Sequence, residues 1–112
     1  MDLNEELQKI NEESSLKDIQ QYVNKMIEER GFQNETLKDV MLLLTEEVGE
    51  LAKEVRKTIQ YKLDVSKAKD IDMEGEIADV FIYLMSLCRI QNIDLLQAFK
   101  EKEQRNSKRI WK

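Results

Sequence analysis

Apolar residues recur at three- to four-residue intervals along most of this chain, and no proline interrupts them. Such spacing places the apolar side chains on one face of an α-helix. A composition of 41% hydrophobic and 37% charged residues, with 3 glycines and no proline, suits helices far better than a turn-rich β fold. The pattern predicts an all-α fold: a compact antiparallel bundle of about four helices that assembles into an oligomer.

Each predicted helix begins with a short polar side chain that can accept hydrogen bonds from the free N–H groups of its first turn. Thr36, with Asp39 three residues later, resembles a capping box, and Gly31 suits the end of the first helix. The predicted helices are about 15–30 after Ser14 or Ser15, about 37–60 after Thr36, about 71–91 after Asp70 or Asp72, and a last segment after Asp94. We expect one domain over 1–112, with 1–13 as a flexible or peripheral segment.

Length and charge limit the partners of the chain. A chain of 112 residues buries only about two-thirds of its unfolded surface, so a partner subunit would help its stability. No apolar run approaches the roughly 20 residues that span a bilayer, and the acidic, polar N-terminus is unlike a signal peptide. The net charge of −5 disfavours binding to nucleic acid polymers. We therefore expect a soluble, cytoplasmic protein without a membrane partner.

The absence of histidine restricts the chemistry that the chain can perform. Imidazole is excluded as a general base, as a metal ligand and as a pH switch. The single cysteine, Cys88, lies in an apolar stretch, has no partner for an internal disulfide and is expected to fill the core. Catalysis must therefore use carboxylates, amines, hydroxyls or a bound metal.

Two pairs of acidic residues fall on or beside the apolar faces of their helices. With Glu47 as the origin of a helical wheel, Val40 lies at about 20° and Leu51 at about 40°. Glu50 lies at about 300°, beside Leu43 at about 320°. Most acids spaced by three residues belong to a solvated face, but this pair adjoins the predicted core.

The second pair has the same placement in the third predicted helix. With Glu76 as the origin, Val80 lies at about 40°, and Asp79 lies at about 300° beside Ile90 at about 320°. Buried carboxylates cost several kcal/mol and repel one another unless a cation compensates them. Oxygen ligands without histidine favour Mg²⁺, with Mn²⁺ as the alternative. The sequence predicts a metal site formed by Glu47, Glu50, Glu76 and Asp79.

These acids carry a resemblance to the MazG-like nucleotide pyrophosphohydrolases. That family's signature is Glu-Glu-x-x-Glu followed, after a spacer, by Glu-x-x-Asp. This chain has Glu46-Glu47-Val48-Gly49-Glu50 and Glu76-Ile77-Ala78-Asp79, separated by 25 residues. The resemblance covers roughly residues 14–112 and is strongest in the acidic motifs. It implies hydrolysis of nucleoside triphosphates, ribo or deoxy, to the monophosphate and pyrophosphate by a homodimer or homotetramer.

Other residues receive roles from the resemblance and from their spacing. Glu46 is interpreted as a water-orienting base, a group supporting the ligands or a solvated acid. Lys102, Asn106 and Arg109 resemble the family's closing motif and fall on one helix face, where they either contact phosphates or form a solvated basic end. Tyr83 shares the face of Glu76 and is assigned to substrate binding or to packing.

Two other functions remain open from the sequence. A non-catalytic helical interaction protein would pair the acids with basic residues of a partner. Another metal-dependent phosphohydrolase would keep the metal site and act on a different phosphorylated molecule. The response to Mg²⁺ separates the first from the nucleotide pyrophosphohydrolase, and the phosphate product separates the second.

Overall fold

A computed structural model describes residues 2–61, 66 and 69–109 of the chain. Five α-helices can be traced through these residues, and no strand occurs among them. The all-α prediction is therefore confirmed for this part of the chain, with five helices rather than about four. The helices are α1 Leu3–Gln8, α2 Leu16–Glu29, α3 Leu37–Gln60, α4 Met73–Gln91 and α5 Leu95–Ser107.

The first two long helices, α2 and α3, begin at capping boxes. Ser15 Oγ accepts from the Asp18 N–H at 3.0 Å, and the Asp18 carboxylate accepts from the Ser15 N–H at 2.8 Å. Thr36 and Asp39 form the same reciprocal pair at 3.2 and 2.9 Å. These contacts satisfy N–H groups that have no partner within the helix. The predicted Thr36 capping box is confirmed, and Ser15 rather than Ser14 caps α2.

Glycine and asparagine follow two of the helices in the left-handed backbone conformation. Gly31, at φ 78°, comes shortly after α2, and Asn92, at φ 55°, comes directly after α4. Glycine adopts this conformation freely, and asparagine does so more easily than other residues with a side chain. The predicted role of Gly31 near the end of the first long helix agrees with this geometry.

The chain divides into two compact units, and the first comprises Met1–Asn34 and Cys88–Lys112. Its interior includes Val23, Met26 and Ile27, all from α2 and all buried. The Lys25 ammonium lies 3.3 Å from the Glu6 carboxylate and joins α2 to α1. The short helix α1 was not predicted from the sequence, and it lies in the segment expected to be flexible or peripheral.

A side chain of α2 also holds the turn between α4 and α5 in this unit. Gln20 Nε2 donates to the Ile93 carbonyl at 3.0 Å. Its Oε1 accepts from the Leu95 N–H at 3.1 Å. One amide group thus satisfies two backbone groups at the turn.

The second unit, Glu35–Leu87, contains α3 and most of α4. Val40 and Leu44 of α3 are buried, and Met85 of α4 has only 1% of its surface exposed. Cys88, which follows this unit, is buried as expected, and burial raises the pKa of its thiol. Among the described residues, no helix is long and apolar enough to span a bilayer.

The Thr36 cap gives a direct test of the start of α3. Thr36→Ala removes the hydroxyl that accepts from the Asp39 N–H, and we expect it to reduce the free energy of unfolding by about 1 kcal/mol. Thr36→Ser keeps the acceptor and should remain close to the wild type. Urea denaturation followed by circular dichroism measures both variants, and equal stability of Thr36→Ala and wild type would contradict the assignment.

Candidate metal centre

Three carboxylates from two helices converge in the second unit. Glu47 of α3 and Glu76 and Asp79 of α4 each offer one oxygen, and the three oxygens lie within 4.8 Å of one another. Glu47 and Glu76 are half-buried, whereas Asp79 is exposed. We call these three residues the carboxylate cluster. It is open to solvent on the side of Asp79 and shielded at Glu76.

The start of α4 sets the position of Glu76. The side-chain carboxylate of Asp72 accepts from the Gly75 N–H at 3.0 Å, and the backbone carbonyl of Asp72 accepts from the Glu76 N–H at 3.2 Å. Asp72 therefore acts as the helix cap, as one of the two predicted candidates. A Cβ atom at Gly75 would collide with the Asp72 carboxylate. The absence of a side chain at Gly75 thus allows the cap next to the first cluster residue of α4.

Burial and the neighbouring negative charges both raise the pKa of the Glu76 carboxyl. Burial raises the pKa of its carboxyl, and the neighbouring Glu47 raises the pKa further through a hydrogen bond and its charge. The charges of Asp79 and Glu50 act in the same direction. Glu76 Oε2 is buried and has no hydrogen-bond partner among the described residues. A buried carboxylate oxygen without a hydrogen-bond partner is unfavourable unless a proton or a cation compensates its negative charge.

A hard divalent cation fits the donors of the carboxylate cluster. All three ligand atoms are carboxylate oxygens, and the chain has no histidine. Mg²⁺ and Mn²⁺ prefer oxygen ligands and leave several coordination positions to water or to phosphate. A cation at the cluster would remove the repulsion between Glu47 and Glu76 and would supply a partner for the buried oxygen.

Glu50 and Glu46 lie on α3 outside the carboxylate cluster, and both are exposed. The charge of Glu50 nevertheless contributes to the raised pKa of Glu76, which places it near the cluster. The charge of Glu46 contributes to the raised pKa of Tyr83. The structure thus groups three of the four predicted ligands and leaves the roles of Glu50 and Glu46 as predictions.

Tyr83 lies beside the acidic residues of the same unit. Burial raises the pKa of its hydroxyl, and the charges of Glu47, Glu35 and Asp79 raise the pKa further. The half-buried ring is therefore close to two members of the carboxylate cluster. Glu35 precedes the capping residue of α3, and its place beside Tyr83 was not predicted from the sequence.

The predicted phosphate-contacting residues belong to the first unit. Lys102 and Asn106 lie in α5, whereas Arg109 follows the end of that helix. The expectation that one helix carries all three is therefore wrong for Arg109, because α5 ends at Ser107. The Asn106 amide donates to the Glu103 carboxylate at 2.9 Å. Ile110 and Trp111, which follow Arg109, lie outside the described residues.

The predicted core face of α4 needs correction. Glu76 is half-buried as expected, but Asp79 is exposed. The most buried residue of the helix, Met85, lies about 180° from Glu76 around the axis. Because α4 is apolar around most of its circumference, a wheel cannot define a single core face for it.

A buried acid of α3 was missed by the sequence analysis. Glu54 has only 7% of its surface exposed. On the wheel with Glu47 as origin it falls at about 340°, inside the apolar stripe. This placement is the same signal that identified Glu47. It would have identified Glu54 as a residue that needs a buried partner.

The raised pKa of Glu76 predicts a pH-dependent effect of Glu76→Gln in metal-free protein. Above the folded-state pKa the charged carboxylate destabilises the fold, so the variant should be more stable than wild type at pH 7. Between that pKa and the ordinary value of 4.5, the folded state holds a proton that the unfolded state has released. Acidification therefore stabilises the wild type, and the gap should close as the pH falls through this window.

Melting temperatures measured in chelator from pH 7 to pH 4 test this expectation. Glu74→Gln, an exposed acid in the first turn of the same helix, is the matched control, and its difference from wild type should show no such trend. A difference for Glu76→Gln that is independent of pH would contradict the assigned crowding.

Comparison with known families identifies the chain. The family model described as MazG nucleotide pyrophosphohydrolase domain matches residues 35–111, which is more than half of the 112 residues and includes the whole carboxylate cluster. Comparisons with curated proteins and with solved structures gave no match. The family resemblance inferred from the acidic motifs is confirmed: the chain belongs to the MazG nucleotide pyrophosphohydrolase family.

Proposed function

We propose that the chain is a Mg²⁺-dependent enzyme that hydrolyses nucleoside triphosphates, ribo or deoxy, between the α and β phosphates. The products are the nucleoside monophosphate and pyrophosphate. The observation that carries the proposal is the buried, unpartnered oxygen of Glu76 beside Glu47 and Asp79, in a chain of this family. Such an arrangement is costly for stability alone and useful for holding a cation.

Glu47, Glu76 and Asp79 would hold the cation, and Glu50 would complete the set from the exposed side of α3. Bound Mg²⁺, or Mn²⁺ in its place, lowers the pKa of a coordinated water and neutralises charge that develops on phosphate oxygens. The exposure of Asp79 and Glu50 supports the proposal, because a triphosphate must reach the open side of the cluster.

The remaining predicted residues have proposed roles in the same reaction. Glu46, on the exposed surface of α3, would orient the attacking water by accepting its hydrogen bond. Tyr83 lies beside the carboxylate cluster and would contact the substrate. Lys102, Asn106 and Arg109 would bind phosphate oxygens through their N–H groups.

Replacing single ligands tests the proposed reaction. Asp79→Asn and Glu50→Gln remove one negative charge each with little change in shape, and we expect either to reduce turnover by at least about 100-fold, because the cation is held less firmly. Pyrophosphate and monophosphate are quantified across the ribo- and deoxynucleoside triphosphates, with Mg²⁺ and with chelator.

Lys53→Gln alters an exposed residue of the same helix outside the site and should retain wild-type turnover. Near-normal activity of Asp79→Asn would refute its role as a ligand. Release of orthophosphate alone, or activity that ignores chelator, would refute the proposed reaction.

We also propose that the chain forms a homodimer or homotetramer through an exposed apolar row on α3. The row lies within about 40° around the helix, directly beside the buried Val40 and Leu44, and its members are 42% to 70% exposed. It spans about 33 Å along the axis, a length that suits a standard interface of about 800 Å² per partner. The row consists of Leu37, Met41, Val48, Val55 and Ile59.

A charge placed in this row should weaken the assembly. Val55→Glu buries an unpaired carboxylate in the proposed contact, and we expect the dissociation constant to rise at least about 30-fold, or about 2 kcal/mol. Sedimentation across a concentration series measures it. Lys53→Glu, which lies at about 140° from the centre of the row, should assemble like wild type, and a monomeric wild type would exclude this interface.

A further inference from the structure

We infer that Glu54 is a positioning residue that fixes the start of α4 against α3 and so brings Glu76 and Asp79 to Glu47. The inference rests on the proposed metal-binding function, because the arrangement that it explains is the proposed ligand set. Glu54 lies two turns after Glu47 on α3, on the same face of the helix. It belongs to neither the carboxylate cluster nor the predicted site.

Both oxygens of the buried Glu54 carboxylate have partners in the second unit. Oε2 accepts from the Asp72 N–H at 3.3 Å. Oε1 accepts from the Lys57 ammonium at 3.3 Å. The carboxylate is therefore compensated without a metal, and its oxygens are directed away from a ligand role. The contact to Asp72 connects positions that are 18 residues apart in the chain.

The contact reaches the carboxylate cluster through the cap of α4. Glu54 holds the backbone of Asp72, and Asp72 in turn accepts from the N–H groups of Gly75 and Glu76. Since a helix is rigid over one turn, fixing Asp72 and the first N–H groups also fixes the direction of Glu76 and of Asp79 three residues later. A side chain at Gly75 would require the Asp72 carboxylate to move, so Gly75 belongs to this path.

An ordinary buried ion pair would explain only half of these contacts. The pair of Glu54 with Lys57, one turn apart on the same helix, needs no contribution from α4. The Asp72 N–H is a backbone donor just before a helix and requires only an acceptor oxygen. The positioning role therefore depends on an acceptor at residue 54 rather than on the negative charge. A substitution that keeps the acceptor and one that removes it should therefore have different effects.

The test compares Glu54→Gln with Glu54→Met in the full chain. Glutamine keeps an oxygen for the Asp72 N–H and loses the charge, whereas methionine has a similar length and offers no strong acceptor. In metal-free protein, Glu54→Met should increase amide hydrogen exchange at Asp72, Gly75 and Glu76 on the order of tenfold. Mn²⁺ affinity, measured from the signal of free Mn²⁺ by electron paramagnetic resonance, should fall at least about tenfold.

Glu54→Gln should keep both the exchange rates and the Mn²⁺ affinity within about twofold of wild type, because its amide oxygen restores the contact. Asp94→Ala is the matched control, since Asp94 caps α5 through the Gln97 N–H. It removes a helix cap at a distance in sequence from the cluster and should lower stability without changing Mn²⁺ affinity.

Gly75→Ala tests the same path if Glu54→Met does not fold. Alanine favours helix more than glycine does, so helix propensity alone would stabilise α4. Displacement of Asp72 should instead weaken Mn²⁺ binding at least about tenfold.

The outcomes separate this inference from the proposed function. Wild-type Mn²⁺ binding together with unchanged binding in Glu54→Met, or in Gly75→Ala where that variant replaces it, would overturn the positioning role alone. Equal losses in Glu54→Gln and Glu54→Met would also overturn it, because charge rather than the acceptor would then matter. A wild-type chain that binds no Mn²⁺ would overturn the proposed function and this inference together.

Discussion

The repulsion among carboxylates that α3 and α4 bring together is the constraint on which the second unit depends. Glu76 is shielded from water, next to Glu47 and within the field of Asp79 and Glu50. A sequence selected for stability alone would place an apolar or neutral residue at such a position. The cost is acceptable where a ligand is bound, because the free energy of cation binding adds to the stability of the folded state.

Local hydrogen bonds oppose this repulsion at the two helix starts. The Thr36 capping box fixes where α3 begins, and Asp72 fixes where α4 begins. The carboxylates are therefore held by backbone geometry rather than by attraction between their side chains. Such support would keep the proposed ligands close to a binding arrangement in the absence of a cation and would reduce the ordering that binding must supply.

The sequence predicted what depends on neighbours along the chain. The caps at Ser15, Thr36, Asp72 and Asp94 and the bounds of the long helices follow from hydrogen bonds spanning three residues. The half-burial of Glu47 and Glu76 also followed from helical periodicity. The family followed from the acidic motifs and is confirmed by the match.

The sequence could not predict what depends on contacts between helices. The burial of Met85 opposite Glu76 is set by neighbours that a wheel of one helix does not include. The short α1 lacks the long apolar pattern that identifies a helix, and an ion pair with Lys25 ties it to α2. The position of Glu54 on the helical wheel indicated that it is buried, but no sequence motif identifies its partner, the backbone N–H of Asp72.

The amide of Gln20 has a consequence for how this chain tolerates change. Its two hydrogen bonds reach backbone groups 73 and 75 positions away. The Ile93 carbonyl needs a donor, and the Leu95 N–H needs an acceptor. Glutamate has the same shape but cannot donate to the Ile93 carbonyl, and asparagine is one methylene shorter. The turn after α4 is therefore restricted by a residue encoded in α2, in addition to its own Asn92, which adopts the left-handed conformation, and Asp94, which caps α5.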